Sequence, residues 1–202
     1  MKFTADWFSH NIPHLEKYLE PYKSEEIRFL EIGCNEGRST VWFLQNILTN
    51  KASKIDVIDT FNNGANYELS NDKISPMEKT FRNNVKELGI ESTEKVSMHK
   101  GFSREILRNM KLHPIYDVIY IDGSHIASSV MEDAVLSWGL LKEDGLIVFD
   151  DYQWGYNGYE WPGFTEDYQK PKIAIDAFIK CYTPSLDVIY SEYQLIIRKT
   201  RT

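Results

Sequence analysis

Apolar residues along this chain follow two alternating spacings, and the alternation predicts strands and helices in turn. Ile27, Phe29, Leu30 and Ile32 make a short strand, and after Gly33 and Gly37 the stripe Val41, Trp42, Leu44, Ile47 and Leu48 predicts a helix opening at Ser39 or Thr40. Before them, Ile12, Leu15, Tyr18 and Leu19 give an amphipathic helix from about Pro13, within an N-terminal cover over residues 1–24. Strand two is Lys54 to Phe61, and a polar loop, Asn62 to Ser75, follows it near the expected site entrance. Pro76 starts a helix that runs through Leu88 and stops at Gly89. Strand three, Lys95 to Gly101, leads to a helix from Ser103 to Met110, and strand four, Tyr116 to Gly123, is apolar enough for burial on both faces. A helix from Ala127 to about Lys142, a turn at Asp144 and Gly145, and strand five from Leu146 to Tyr152 come next. An aromatic loop over 153–171, a helix from Lys172 to Tyr182 and strands Asp187 to Tyr193 and Gln194 to Lys199 complete the pattern.

Strand–helix alternation of this kind predicts an α/β, Rossmann-like doubly wound sheet of about seven strands, mostly parallel, with an antiparallel C-terminal edge and helices on both faces. Residues 1–202 read as a single domain, since no repeat or linker suggests a boundary. A net charge of −7 argues against nucleic acid or an anionic membrane as the main partner. The first residues, MKFTADWFSH, lack the apolar core of a signal peptide, and no apolar run approaches the ~20 residues of a membrane span, so the expected location is cytoplasmic. Two cysteines, Cys34 and Cys181, make no disulfide framework.

The run FLEIGCNEGRST, Phe29 to Thr40, is a ligand turn by its chemistry. Gly33 can take backbone angles closed to other residues, and Gly37 lets a ligand approach the main chain. Its spacing is neither the dinucleotide fingerprint nor the phosphate loop, and Glu31 and Glu36 would oppose a pyrophosphate but suit a cation. The run resembles the first motif of class I S-adenosylmethionine-dependent methyltransferases, Glu/Asp-x-Gly-x-x-x-Gly-x-Ser. That resemblance implies a sulfonium cofactor over Glu31, Gly33, Cys34, Asn35, Gly37, Ser39 and Thr40.

Ligands in open parallel sheets sit beyond the carboxyl ends of the strands, and four of the five parallel ends carry a carboxylate. Asp59, with Thr60 beside it, lies 22 residues after Gly37, about the interval for a ribose contact. Its alternative is a strand-ending Asp that caps a turn. Gly101, Phe102 and Ser103 occupy the family's place for adenine contacts; otherwise Phe102 is core and Ser103 a helix cap.

Asp122, Asp150 and Asp151 at the ends of strands four and five repel one another unless something positive neutralises them, and a hard divalent cation is the simplest answer. The alternative makes Asp151 a turn cap and Asp150 a brace for the cofactor loop. YIDGSH followed by a helix, then GLIVFDDY, resembles the small-molecule O-methyltransferases of macrolide and aminocoumarin sugars, the macrocin O-methyltransferase-like branch, and more distantly the catechol enzymes. The resemblance implies Mg2+ or Mn2+ on Asp122, Asp150 and Asp151, with Asp122 also touching the cofactor. His125, three residues beyond Asp122, stands where the catechol enzymes place a lysine base; some sugar enzymes use an acid two beyond, and that place here holds Ser124.

The expected activity is metal-dependent O-methylation of a hydroxyl on a sugar or glycosylated small molecule, with Asp122 and His125 catalytic and a catechol or phenol as the alternative acceptor. Other readings are an aminopropyltransferase or dinucleotide oxidoreductase on the same fold, and a non-catalytic S-adenosylmethionine-binding protein. The loop carrying Trp154, Tyr156, Tyr159, Trp161, Phe164 and Tyr168 suits a lid, plain packing or a homo-oligomer contact.

Overall fold

The computed structural model describes residues 1–62, 74–111 and 113–201. The polar loop expected at Asn62–Ser75 falls largely outside them. Two compact units divide the chain, Met1–Gly101 and Phe102–Thr202.

In the first unit, α1 (Ile12–Leu19), β1 (Arg28–Ile32), α2 (Arg38–Asn46), β2 (Lys54–Asp59), α3 (Pro76–Glu87), α4 (Ile90–Lys95) and β3 (Val96–Lys100) follow in order. The strands are parallel in the order β3-β2-β1, with Phe29 opposite Ile55 and Ile55 opposite Val96. Leu15, Leu19, Phe29, Phe43, Ile55 and Val57 are wholly buried, and Phe29 meets Phe43 at 4.6 Å between ring centroids. Helix α3 starts as its sequence demands. Ser75 accepts the Glu78 N–H at 3.1 Å, Pro76 occupies the first turn, and Gly89 at φ 101° lies just past its end. Helix α4 was not expected; its IESTEK has no apolar stripe, and Ile90 is 80% exposed.

The second unit contains α5 (Ser103–Asn109), β4 (Tyr116–Ile121), α6 (Ala127–Trp138), β5 (Leu141–Phe149), α7 (Pro171–Tyr182), β6 (Leu186–Ser191) and β7 (Leu195–Lys199). Its order is β4-β5-β7-β6, with β4 and β5 parallel and β7 antiparallel to both β5 and β6. Here the expected boundaries shift. Helix α6 stops at Trp138, and β5 begins at Leu141 opposite Tyr116. The expected turn at Asp144 and Gly145 is a bulge within that strand: Tyr116 pairs with Leu141 but Val118 with Leu146, and Asp144 has φ 60°. A Cβ on Gly145 would stand 2.9 Å from the Asp117 carbonyl oxygen, so the bulge requires glycine. The seven strands give the expected Rossmann-like architecture, a mixed and mostly parallel sheet with antiparallel C-terminal strands.

Candidate active site

Backbone geometry makes the turn after β1. Gly33, Asn35 and Gly37 have φ of 85°, 49° and 84°, and the Gly37 N–H donates to the Cys34 carbonyl at 2.7 Å. Gly37 is required twice over, because a Cβ there would stand 2.8 Å from Cδ2 of buried Phe81. Asp59 laces the end of β2 to this turn: Oδ2 accepts the Cys34 and Asn35 N–H groups, both at 2.8 Å, and Oδ1 accepts the Phe61 N–H at 2.6 Å. Oδ2 therefore has both lone pairs filled, and Oδ1 keeps one for a ribose hydroxyl. The turn-capping role and the expected ribose role are compatible at Oδ1 alone.

Glu31 does not face the turn as a ligand. It is wholly buried, accepting hydrogen bonds from the Ser39 hydroxyl and, at 2.5 Å, from the Thr40 hydroxyl. Burial pushes its pKa up to about 7; the two hydroxyls oppose this and the charge of Asp59 adds to it. The Ser39 and Thr40 hydroxyls thus both donate to Glu31 and tie β1 to the start of α2. Cys34 is buried, Thr60 is partly exposed, and the Gly101 N–H donates to the Asp59 carbonyl at 3.0 Å.

An N-terminal strap also crosses the turn. The Thr4 N–H donates to Glu36 at 2.6 Å, and Arg38 donates to the Ala5 carbonyl at 3.1 Å and pairs with Asp6 at 3.2 Å. Asn84, 1% exposed, donates to the carbonyls of Lys2 at 2.8 Å and Glu36 at 2.9 Å, and accepts the Lys2 N–H at 2.8 Å.

In the second unit Phe102 is partly exposed, not core, with the Arg104 guanidinium 5.2 Å from its ring centroid. The Ser103 side chain hydrogen-bonds to Asp133, whose carboxyl burial pushes up to about 7. Asp122 follows β4, and Asp150 and Asp151 follow β5. His125 Nε2 lies 2.8 Å from Asp151 Oδ2, the Tyr193 hydroxyl donates to Asp151 Oδ1 at 2.6 Å, and the Trp154 ring packs 4.3 Å from the imidazole. Asp150 turns inward instead, to the amide of Gln194 and the hydroxyl of Tyr120.

These surroundings separate two neighbouring acids. Burial pushes Asp150 up to about 7 and the charge of Asp151 adds to this, against hydrogen bonds from Gln194, Tyr120 and Asp122. Burial also works against ionised Asp151, but the hydrogen bond and charge of His125, with help from Tyr193 and Asp122, hold it below the ordinary carboxylate range. His125 moves the opposite way: burial alone would lower it, and Asp151 and Asp150 together raise it.

The expected metal trio was Asp122, Asp150 and Asp151. The ligand atoms that converge, within 4.8 Å of one another, are those of Asp122, His125 and Asp151. Asp150 stands outside this set, held by Gln194 and Tyr120. A cavity of about 10 Å³ touches Asp122, Asp150 and Asp151, room for one water-sized species. The carboxylates of Asp122 and Asp151 fit an oxygen-preferring divalent ion of the manganese or magnesium type, with space left for water or substrate oxygen, and the imidazole of His125 is engaged by Asp151. Ser124, in the place of the alternative acid, accepts the Ile126 N–H at 3.2 Å beside the start of α6. Tyr193 and Gln194 carry no local motif; Tyr120 opens the YIDGSH run and Trp154 belongs to the aromatic loop that suits a lid, though neither was expected to touch the acids or His125.

Residues 30–152 match the family described as "Methyltransferase domain". The chain belongs to this methyltransferase family. Its fold is similar to that of MycE methyltransferase from the mycinamycin biosynthetic pathway, in complex with Mg and SAH, with a TM-score of 0.63, 17% identity and coverage of 99% of this chain and 50% of MycE. It is also similar to SAH-bound methyltransferase PaMTH1 of Podospora anserina, TM-score 0.63, 16% identity and full coverage of both chains at 100%. The O-methyltransferase from Bacillus cereus in complex with SAH gives a TM-score of 0.64 at 15% identity, over 98% of this chain and 84% of that one. A curated relative, the uncharacterized protein R132 of Acanthamoeba polyphaga mimivirus, is 26% identical over 157 residues, 73% of this chain and 59% of R132. The chain therefore spans about half of MycE and about three-fifths of R132. With these solved structures the chain shares its fold. Among its described residues no helix is long and apolar enough to cross a membrane.

Proposed function

We propose that this methyltransferase is a divalent-metal-dependent O-methyltransferase of the macrocin O-methyltransferase-like branch, acting on a hydroxyl of a sugar or glycosylated small molecule. The observation that carries the reading is the convergence of Asp122, His125 and Asp151 beyond the carboxyl ends of two adjacent parallel strands. MycE, similar in fold, has been seen with Mg, SAH and mycinamycin VI together.

On this reading the backbone of the Gly33–Gly37 turn receives the S-adenosylmethionine, with Asp59 Oδ1 toward its ribose. Asp122 and Asp151 would hold Mg2+ or Mn2+, and Asp150 would add a third carboxylate only on ionising and turning from Gln194 and Tyr120. The bound ion would lower the pKa of an acceptor hydroxyl. Asp151 orients His125 through Nε2, leaving Nδ1 as the basic nitrogen that takes the hydroxyl proton. Tyr193 holds the other oxygen of Asp151, so the carboxylate is fixed at both ends. The Trp154 ring packs against one side of His125 and limits how the imidazole can turn.

Calorimetry on chelator-treated protein tests this. S-adenosylhomocysteine binds first, and Mn2+ then binds the wild type but not Asp151→Asn, whose S-adenosylhomocysteine affinity is unchanged. Failure of the nucleoside to bind folded protein overturns the methyltransferase activity. Equal Mn2+ affinity in the variant overturns the metal assignment.

A further inference from the structure

Resting on that reading of the site, we infer that the exposed rings of Tyr159 and Trp161 form a stacking wall for a neutral pyranose ring of the acceptor. The segment between β5 and α7 has little regular structure, yet it is closed on itself. The Gly155 N–H donates to the Tyr159 carbonyl and the Tyr159 N–H to the Tyr156 carbonyl, both at 3.0 Å, through positive φ of 84°, 52° and 93° at Gly155, Asn157 and Gly158. Trp154 meets Phe164 edge-on at 4.8 Å, and Tyr156 lies under Lys170 at 4.4 Å while its hydroxyl donates to Asp167 at 2.8 Å. These inner rings hold the loop in shape.

Tyr159 and Trp161 do not share in that packing to the same degree. They remain 48% and 58% exposed, although each could bury on the order of 150–250 Å² if packing were its role. Tyr159 lies close to the chemistry, and Trp161 follows two residues later in the same loop. Asp151 binds the Tyr193 hydroxyl at 2.6 Å, and the Tyr193 ring stands 4.6 Å from that of Tyr159, tilted by 54°. A ring face is thereby presented two side chains from the carboxylate that anchors the site. An aromatic ring has two side-chain torsions to fix, so a wall of this kind loses little entropy on binding.

Charge selects the occupant. Residues 153–169 contain Glu160, Glu166 and Asp167 and no lysine or arginine. The two cations that follow are engaged, Lys170 by the Tyr156 ring and Asp167, and Lys172 by the Tyr152 ring and Asp176, so a phosphate or carboxylate acceptor meets net negative charge. A pyranose fits: its C–H face is apolar and its hydroxyls donate to acidic groups such as Glu160, which stands between the two exposed rings in sequence.

Saturation-transfer NMR tests the wall, using methyl glucopyranoside, methyl galactopyranoside and methyl rhamnopyranoside, with catechol as the rival ring, on protein loaded with S-adenosylhomocysteine and Mn2+. At least one pyranoside receives saturation from aromatic protons, and its dissociation constant rises about fivefold or more in Tyr159→Ala and in Trp161→Ala. Both variants keep S-adenosylhomocysteine and Mn2+ affinity by calorimetry, which shows them folded; Trp161→Phe retains most of the pyranoside affinity. Intact nucleoside and metal binding with no pyranoside contact, or with contact unchanged in both alanine variants, overturns the wall alone. Saturation of catechol only overturns the sugar. Loss of nucleoside binding by the wild type overturns the underlying reading as well.

Discussion

Replacing Glu31 by Gln should make the protein more stable at alkaline pH. The wholly buried Glu31 carboxyl is pushed up from 4.5 to about 7, mainly by burial. Between those values the folded chain holds a proton that the unfolded chain has released, so stability falls as pH rises through this window and is lost in full above about 7. At 1.36 kcal/mol per pKa unit, the loss is about 3 kcal/mol. Glutamine does not titrate, and it gives up part of the bonding to Ser39 and Thr40, about 1 kcal/mol. Glu31→Gln should then be about 2 kcal/mol more stable than wild type near pH 8.5, roughly equal to it near pH 5, and about 1 kcal/mol less stable near pH 3.5, where Glu31 is protonated in both states. Asp133 and Asp150, also pushed up to about 7, give the wild type further slope in the same direction, so the difference between the two proteins is the quantity to read. Urea unfolding followed by circular dichroism at a series of pH values supplies it. Parallel stability curves for the two proteins would refute the reasoning, since Glu31 would then ionise alike in both states.

Gly37→Ala forces a side chain into left-handed backbone and against Phe81, and should cost about 2–4 kcal/mol in urea unfolding while weakening S-adenosylhomocysteine in calorimetry. Asn84→Ala leaves the Glu36 carbonyl and both Lys2 backbone groups without that partner; a stability loss of about 2 kcal/mol and weaker nucleoside binding should follow, and an unchanged dissociation constant would separate the strap from the cofactor turn. In metal-free protein, the His125 imidazole should titrate above its ordinary 6.5 by NMR and move down in Asp151→Asn, where only the charge of Asp150 still opposes burial; no movement would break the His125–Asp151 link.

Periodicity made most of the fold legible, and its exceptions have physical causes. Leu140 and Leu141 continue the apolar spacing of α6, so the sequence alone extends the helix where Gly139 and the pairing of Tyr116 with Leu141 end it. Asp144–Gly145 has the composition of a turn, yet β5 continues past it because a bulge takes up the extra residues. Strand-end carboxylates were readable from the same periodicity. What it left hidden was the division of labour between Asp150 and Asp151. Consecutive residues at the end of a strand face opposite ways, so one turns to Tyr120 and Gln194 and the other to His125. At Glu31, Ser39 and Thr40 the motif and a buried brace share the same residues, and the brace has no signature of its own in the sequence. Tyr193 and Gln194 carried no signal, since their roles arise only when β7 pairs with β5.

That late pairing orders events during synthesis. The groups that clamp Asp151 and Asp150 come from the hairpin between β6 and β7, some 42 and 44 residues downstream of the acids they hold. A nascent chain emerging N-terminus first carries the adjacent acids long before their clamps exist, so it cannot assemble this site early. A ribosome stalled before Tyr193 would display both acids without the hydrogen bonds that fix them, and release of the last hairpin would set the two carboxylates together.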